Sequence, residues 1–313
     1  MYDKFGRTIG PKAEMGRAVD QVTHRDLKHY LDLFALSEND LIFQKNVIDI
    51  GAGFSSFSEE AREKIKNLNV VAIDPIYSSI IQNPDLVFDE FKKSEDIIID
   101  FDPAYQGKKE SPDLDSANAQ AKAIYYHFVG EVRDHLSNYL AGSHQQLPPE
   151  VPQADLVLAS NSIVREENSP VVIDKALREC LRVSNNHGEI RIGGAMNCFV
   201  FNPDSGNAEL WHNGALVPDS PQSLEFQNTG HYSDPELFKV FADLERGGAK
   251  FYCVILVSSA DGEVRHRFHT LILRKDEKIP SVAEIPDSEK ETYKLMKMHF
   301  QKSDGFNIPV DAK

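Results

Sequence analysis

The chain has 313 residues, of which 41% are hydrophobic and 27% charged, the balance of a soluble globular protein with apolar material enough for a sizeable core. Its formal net charge of −15 opposes phosphate backbones and speaks against nucleic acid as a partner. No stretch is apolar and long enough to span a bilayer, and the opening residues MYDKFGRTIGPKAEMG hold no signal-peptide core, so a cytoplasmic protein without a membrane partner is expected.

Residues 1–40 read as an N-terminal helical segment. Val22, Leu27, Tyr30, Leu31 and Phe34 recur at roughly helical spacing and predict a helix over 19–36. Residues 46–50 (NVIDI) are rich in β-branched side chains and read as a buried strand, which Gly51 and Gly53 break. A helix follows from Ser55, with Ser55 or Ser56 as its cap and Glu59 and Glu60 near its positive end. A second strand, 69–73 (NVVAI), ends in Asp74, and a third, 96–101 (DIIIDF), ends in Asp100 and Asp102. A long helix is predicted over 117–141, then prolines 148, 149 and 152 precede a strand over 155–160 (DLVLAS). Asn161, Ser162 and Arg165 come directly after that strand.

Residues 176–194 read as helix, glycine-containing turn and fifth strand. The turn-rich stretch 196–232 holds the only tryptophan, Trp211, either a pocket-shaping residue or a core anchor. A helix opens at Pro235, and strands over 249–259 and 264–275 flank an Asp-Gly hairpin signal. Residues 276–313 read as a tail with a helix near 288–301. Cys180, Cys198 and Cys253 are too few and too scattered for a disulfide framework or a zinc motif, and Cys180 and Cys253 read as buried hydrophobes. His266 and His269 lie three apart in a strand, on opposite faces by simple alternation, so no metal is expected there.

Strand, glycine turn and helix together bring backbone N–H groups and a helix N-terminus to a ligand. Asp74, 21 residues after Gly53, stands where a ribose-hydroxyl acceptor sits at the tip of the second strand of a βαβ unit. A dinucleotide fingerprint wants a third glycine, and position 56 is serine. The segment Asp49-Ile50-Gly51-Ala52-Gly53 resembles motif I of the class I S-adenosylmethionine-dependent methyltransferases, and the resemblance continues discontinuously over residues 46–275.

The resemblance implies an α/β, Rossmann-like mixed sheet of about seven strands with a C-terminal antiparallel hairpin and helices on both faces. The domain would span 41–275, with insertions at 103–150 and 196–232. It implies S-adenosyl-L-methionine as cofactor, with Gly51 and Gly53 at its methionine end, Asp49 either engaging its ammonium or fixing the turn by accepting backbone N–H bonds, Asp74 on the ribose, Asp100 or Asp102 at the adenine amino group, and Asn161 beneath the methyl group. Ser162, Arg165 and Trp211 would line the acceptor pocket, and the acceptor would be a small molecule or a protein. Asp102-Pro103-Ala104-Tyr105 also resembles the element by which amino-group methyltransferases hold a planar nitrogen. No universal catalytic residue is implied, because aligning a nucleophile with the methyl carbon is the main task. The rival readings are an NAD(P)-dependent oxidoreductase and a non-catalytic partner-binding protein on the same fold.

Overall fold

Short apolar strands, rather than long helices, set the frame of the molecule. The computed structural model describes residues 25–91, 114–160, 162–163, 170–193, 199–202, 207–210, 235–260, 263–285, 291–298 and 300. The elements in chain order are α1 (Leu27–Leu33), α2 (Glu38–Ile42), β1 (Asn46–Ile50), α3 (Phe57–Lys64), β2 (Asn69–Ile73), α4 (Ile76–Gln82), α5 (Pro84–Phe91), α6 (Leu114–Asp134) and β3 (Tyr139–Leu140). After these come β4 (Ala154–Ser160), α7 (Pro170–Val183), β5 (Ser184–Gly193), β6 (Phe199–Asn202), β7 (Asn207–Leu210), α8 (Pro235–Arg246), β8 (Lys250–Ala260), β9 (Glu263–Arg274) and β10 (Glu291–Met298).

Eight strands form one sheet in the order β10-β8-β9-β5-β4-β1-β2-β3, and β6 and β7 make a separate antiparallel pair. The strands from β3 to β5 run parallel, and β9, β8 and β10 join antiparallel. A parallel set is covered on both faces, which is why β1, β2 and β4 read as nearly unbroken apolar runs. Alternation divides their side chains: Ile48, Ile50, Val71, Ile73, Val157 and Ala159 join the core that holds residues of α7 and α8. Val47, Val70, Leu156 and Leu158 face the opposite core with Leu27, Tyr30 and Phe57. Asp49 falls between Ile48 and Ile50 and so shares the face of Val47, toward α1.

Several expectations are corrected. The strand beside β2 is Tyr139–Leu140, within the stretch expected to be the end of a helix; the helix stops at Asp134 and a 3-10 turn over Leu136–Asn138 leads into the strand. Residues 96–101, expected as the third strand, lie outside the described residues. The anticipated C-terminal helix is instead the edge strand β10, paired with β8 over eight positions from Glu291↔Ser258 to Met298↔Phe251. Met296 and Met298 alternate into the core, a period of two that outweighs the helix-forming composition of the segment.

The glycine-containing turn before the fifth strand is a bulge within β5, where Ala154 pairs with Ser184 and Leu156 with Glu189. A Cβ on Gly188 would stand 2.7 Å from the Ala154 carbonyl oxygen, so the close approach requires glycine. Another bulge sits at His269, since Val254 pairs with Thr270 and Ile255 with Phe268. It interrupts the strict alternation by which His266 and His269 were set on opposite faces. Among the described residues no three His, Cys, Asp or Glu side chains are grouped to hold a metal, and no helix is long and apolar enough to cross a membrane. Cys180 and Cys253 are buried as expected; burial pushes the Cys180 thiol up to about 12 and raises that of Cys253 as well.

Candidate functional site

The break after β1 is built by two glycines in the left-handed region, Gly51 at φ 69° and Gly53 at φ 56°. Its N–H groups are already engaged: Gly51 and Ala52 donate to the Ile73 carbonyl at 2.8 and 3.4 Å, and Gly53 donates to Asp74 Oδ2 at 3.0 Å. That differs from the expectation of a turn offering its amides to a ligand. The Tyr77 hydroxyl donates to the Gly53 carbonyl at 2.9 Å, from a fully buried position on α4.

Asp74 ties two elements together, because its other oxygen accepts from the Ile76 N–H at 2.9 Å where α4 begins. Burial raises its carboxyl above the ordinary value, and the two amide bonds pull it back in part. Each carboxylate oxygen retains a further lone pair. Ser55 caps α3, its hydroxyl oxygen accepting from the Phe57 N–H at 3.1 Å while donating to the Arg25 carbonyl at 2.7 Å. Ser56, the other capping candidate, makes no cap bond and donates to Glu60 instead.

Asp49 is fully buried beside this turn. Its Oδ2 accepts the Tyr30 hydroxyl at 2.8 Å, and its Oδ1 is buried without a hydrogen-bond partner. Burial pushes its carboxyl up to about 7, with Arg25 and the Tyr30 hydroxyl pulling down and Asp74 adding to the rise. Arg25 precedes α1 and is buried; one guanidinium nitrogen donates to the Ser160 hydroxyl and to the Ser160 carbonyl at 3.3 Å, at the end of β4. Its Nε is buried and unpartnered. An anionic and a cationic side chain, each with an orphaned polar atom, thus flank the glycine turn. Unsatisfied charged groups in such a place are costly unless water or a ligand meets them.

Ser162 lies against the same turn, its hydroxyl donating to the Ile50 carbonyl at 2.8 Å. A Cβ on Gly51 would stand 2.3 Å from the Ser162 Cβ. Asp49, Gly51, Gly53, Asp74 and Ser162 are therefore brought together. Asp100, Asp102, Asn161, Arg165 and Trp211 lie outside the described residues, as does the Asp102 to Tyr105 element.

Arg25, Tyr30, Tyr77 and Ser160 are additions that the sequence pattern did not single out for this site. Tyr77 comes from α4 and Ser160 from the end of β4, whereas Tyr30 and Arg25 come with α1, whose C-terminal end is anchored far away on the sheet. The Asp32 carbonyl contacts His269 Nε2 at 2.5 Å and accepts the Tyr293 hydroxyl at 3.2 Å. The Leu33 carbonyl accepts from the Thr270 hydroxyl at 2.6 Å. Buried Arg191 donates to the Phe34 and Ala35 carbonyls at 2.5 and 3.0 Å. These bonds satisfy carbonyls that a helix end leaves open.

Five parallel strands, a glycine turn after the first and an antiparallel closing pair are the arrangement that the resemblance of residues 46–275 implies. The fold is an α/β, Rossmann-like mixed sheet closed by antiparallel strands. No family model and no curated protein matches the sequence. Among solved structures, the chain is similar to human N-acetylserotonin methyltransferase in complex with S-adenosylmethionine, at 13% identity and TM-score 0.35, over 84% of this chain and 54% of that one. It is similar to an O-methyltransferase from neocarzinostatin biosynthesis in complex with S-adenosylhomocysteine and 1,4-dihydroxy-2-naphthoic acid, at 12% identity and TM-score 0.34, over 79% and 55%. A methyltransferase from Thermotoga maritima aligns at 12% identity and TM-score 0.33, over 83% and 96%. The chain spans about half the length of the first two and nearly all of the third. Likeness of that degree leaves the chemistry to be read from this chain's own residues.

Proposed function

We propose that the chain binds S-adenosylmethionine at the turn after β1 and transfers its methyl group to a small-molecule or protein acceptor. The observation that carries this reading is the pair of orphaned atoms, Asp49 Oδ1 and Arg25 Nε, buried beside Gly51 and Gly53. An α-amino-acid group bears an ammonium and a carboxylate, the two charges that would satisfy this pair. Asp74, through its remaining lone pairs, would accept ribose hydroxyls. When bound, the cofactor supplies an electrophilic methyl group on a sulfonium. The chain's part is to hold the zwitterionic end with Asp49 and Arg25 and to align an acceptor near the end of β4.

The same residues weigh against a nicotinamide dinucleotide. A pyrophosphate needs free amides at the turn, whereas those of Gly51, Ala52, Gly53 and Ser55 donate within the protein. A buried carboxylate at Asp49 would also repel it once ionised.

Calorimetric titration with S-adenosylmethionine, S-adenosylhomocysteine and NADH, on wild type and Asp49→Asn, tests the reading. Saturable binding of both sulfur ligands, weakened by the substitution, is expected. Binding of NADH alone would turn the assignment to an oxidoreductase. No binding by folded protein would favour a partner-binding role.

A further inference from the structure

Asp49 has one hydrogen-bonded oxygen and one bare oxygen, and the cause of the difference is Tyr30. Its ring is held on both sides: it stacks on Phe57 with centroids 4.3 Å apart and planes 2° from parallel, and the Arg25 guanidinium carbon lies 5.7 Å from its centroid. A ring so confined has little rotational freedom, and its hydroxyl is aimed at a single point. We propose that Tyr30 is the positioning residue of the site, occupying Asp49 Oδ2 so that Oδ1 alone is turned to the cationic group of the ligand. The proposal rests on the reading that this turn binds an amino-acid-bearing cofactor.

Tyr30 acts through Asp49 in two ways. Geometrically, it fixes the carboxylate plane, because a carboxylate with one oxygen tethered can no longer turn freely about its final torsion. Electrostatically, it favours the ionised carboxylate, since a hydroxyl donor stabilises the anion that burial disfavours. Burial lifts Tyr30's own phenol far above its usual range, with Asp49 lifting it further, so the hydroxyl keeps its proton and remains a donor throughout the useful pH range. The charged and titratable groups acting on Asp49 are Tyr30 on α1, Arg25 before it and Asp74 after β2, and Asp49 in turn raises the buried phenol of Tyr77 on α4.

Tyr30→Phe keeps the ring stack and deletes the donor. In the ligand-free full chain, the carboxyl carbon of Asp49, assigned by its loss in Asp49→Asn, is followed by NMR as pH is raised. The titration midpoint is expected to rise by about one unit in Tyr30→Phe, the effect of removing one hydrogen bond to a buried anion. The pH at which S-adenosylhomocysteine binding reaches half its maximum should move up by the same amount. Thr270→Val, which loosens the far end of α1 without touching Asp49, should leave both midpoints in place. An unchanged Asp49 midpoint in Tyr30→Phe, or an equal shift in Thr270→Val, overturns the positioning role. Failure of wild type to bind S-adenosylhomocysteine overturns the cofactor reading instead, and the ligand-free titration keeps the two failures apart.

Discussion

Gly51 and Ser162 pack so closely that each limits what the other can be: a Cβ on Gly51 would stand 2.3 Å from the Ser162 Cβ and 2.9 Å from its hydroxyl oxygen. Gly51 also sits at φ 69°, where any side chain is strained. Gly51→Ala is therefore expected to cost about 2 kcal/mol or more of stability, read as a shift in the urea midpoint. Adding Ser162→Gly should recover the steric share and leave the backbone share. Full recovery would mean that the backbone conformation carries no cost.

Asp49 predicts a pH dependence of folding. The unfolded chain releases this proton near the ordinary 3.8, whereas the folded state keeps it to about 7. Its contribution to stability is thus fully present below about pH 4 and is lost as pH rises through about 7. Asp49→Asn removes the ionisation while leaving a carbonyl to accept from Tyr30. Its urea midpoint should gain on that of wild type between about pH 4 and about pH 7; a constant gap would show that Asp49 does not titrate in that window.

Arg25 should matter to one end of the cofactor only. Arg25→Met is expected to weaken S-adenosylhomocysteine by about ten-fold or more, through loss of a charge-assisted contact to its carboxylate. It should leave 5′-methylthioadenosine, which lacks the amino-acid end, nearly unaffected. Equal losses for the two ligands in calorimetry would place the effect in the fold.

Arg191 is fully buried, paired with Glu189 and bonded to the carbonyls of Phe34, Ala35 and Ser281. Arg191→Met would leave those acceptors without this donor. A loss of about 3 kcal/mol or more is expected in urea unfolding. It should be accompanied by weaker S-adenosylhomocysteine binding, because α1 carries Tyr30 and follows Arg25.

The glycine turn was legible because its signals are local. β-Branched residues crowd Asn46–Ile50, two glycines follow, and a serine cap opens the next helix. The hairpin of β8 and β9 was legible for the same reason. β10 was not, because Lys294, Leu295, Met296 and Met298 favour helix in isolation and only pairing with β8 sets their period. β3 has two residues and inherits the apolar pattern of the preceding helix. The site's other half was hidden in a different way: Arg25 meets Ser160 across 135 residues, and the buried Arg191 meets Phe34 across 157. No motif of fixed spacing records such contacts.

The anchoring of α1 also orders events in time. Its carbonyls are held by Arg191, His269, Thr270 and Tyr293, all of which follow it by more than 150 residues. During synthesis the helix that brings Tyr30 to Asp49 leaves the ribosome long before the anchors of its far end are complete, since β9 and β10 emerge last among the described strands. Its closure must wait for contacts of high sequence separation. A nascent chain ending before β9 would hold the glycine turn, Arg25 and Tyr30 but would lack His269, Thr270 and Tyr293, so the far end of α1 would be fastened only once β9 and β10 are made.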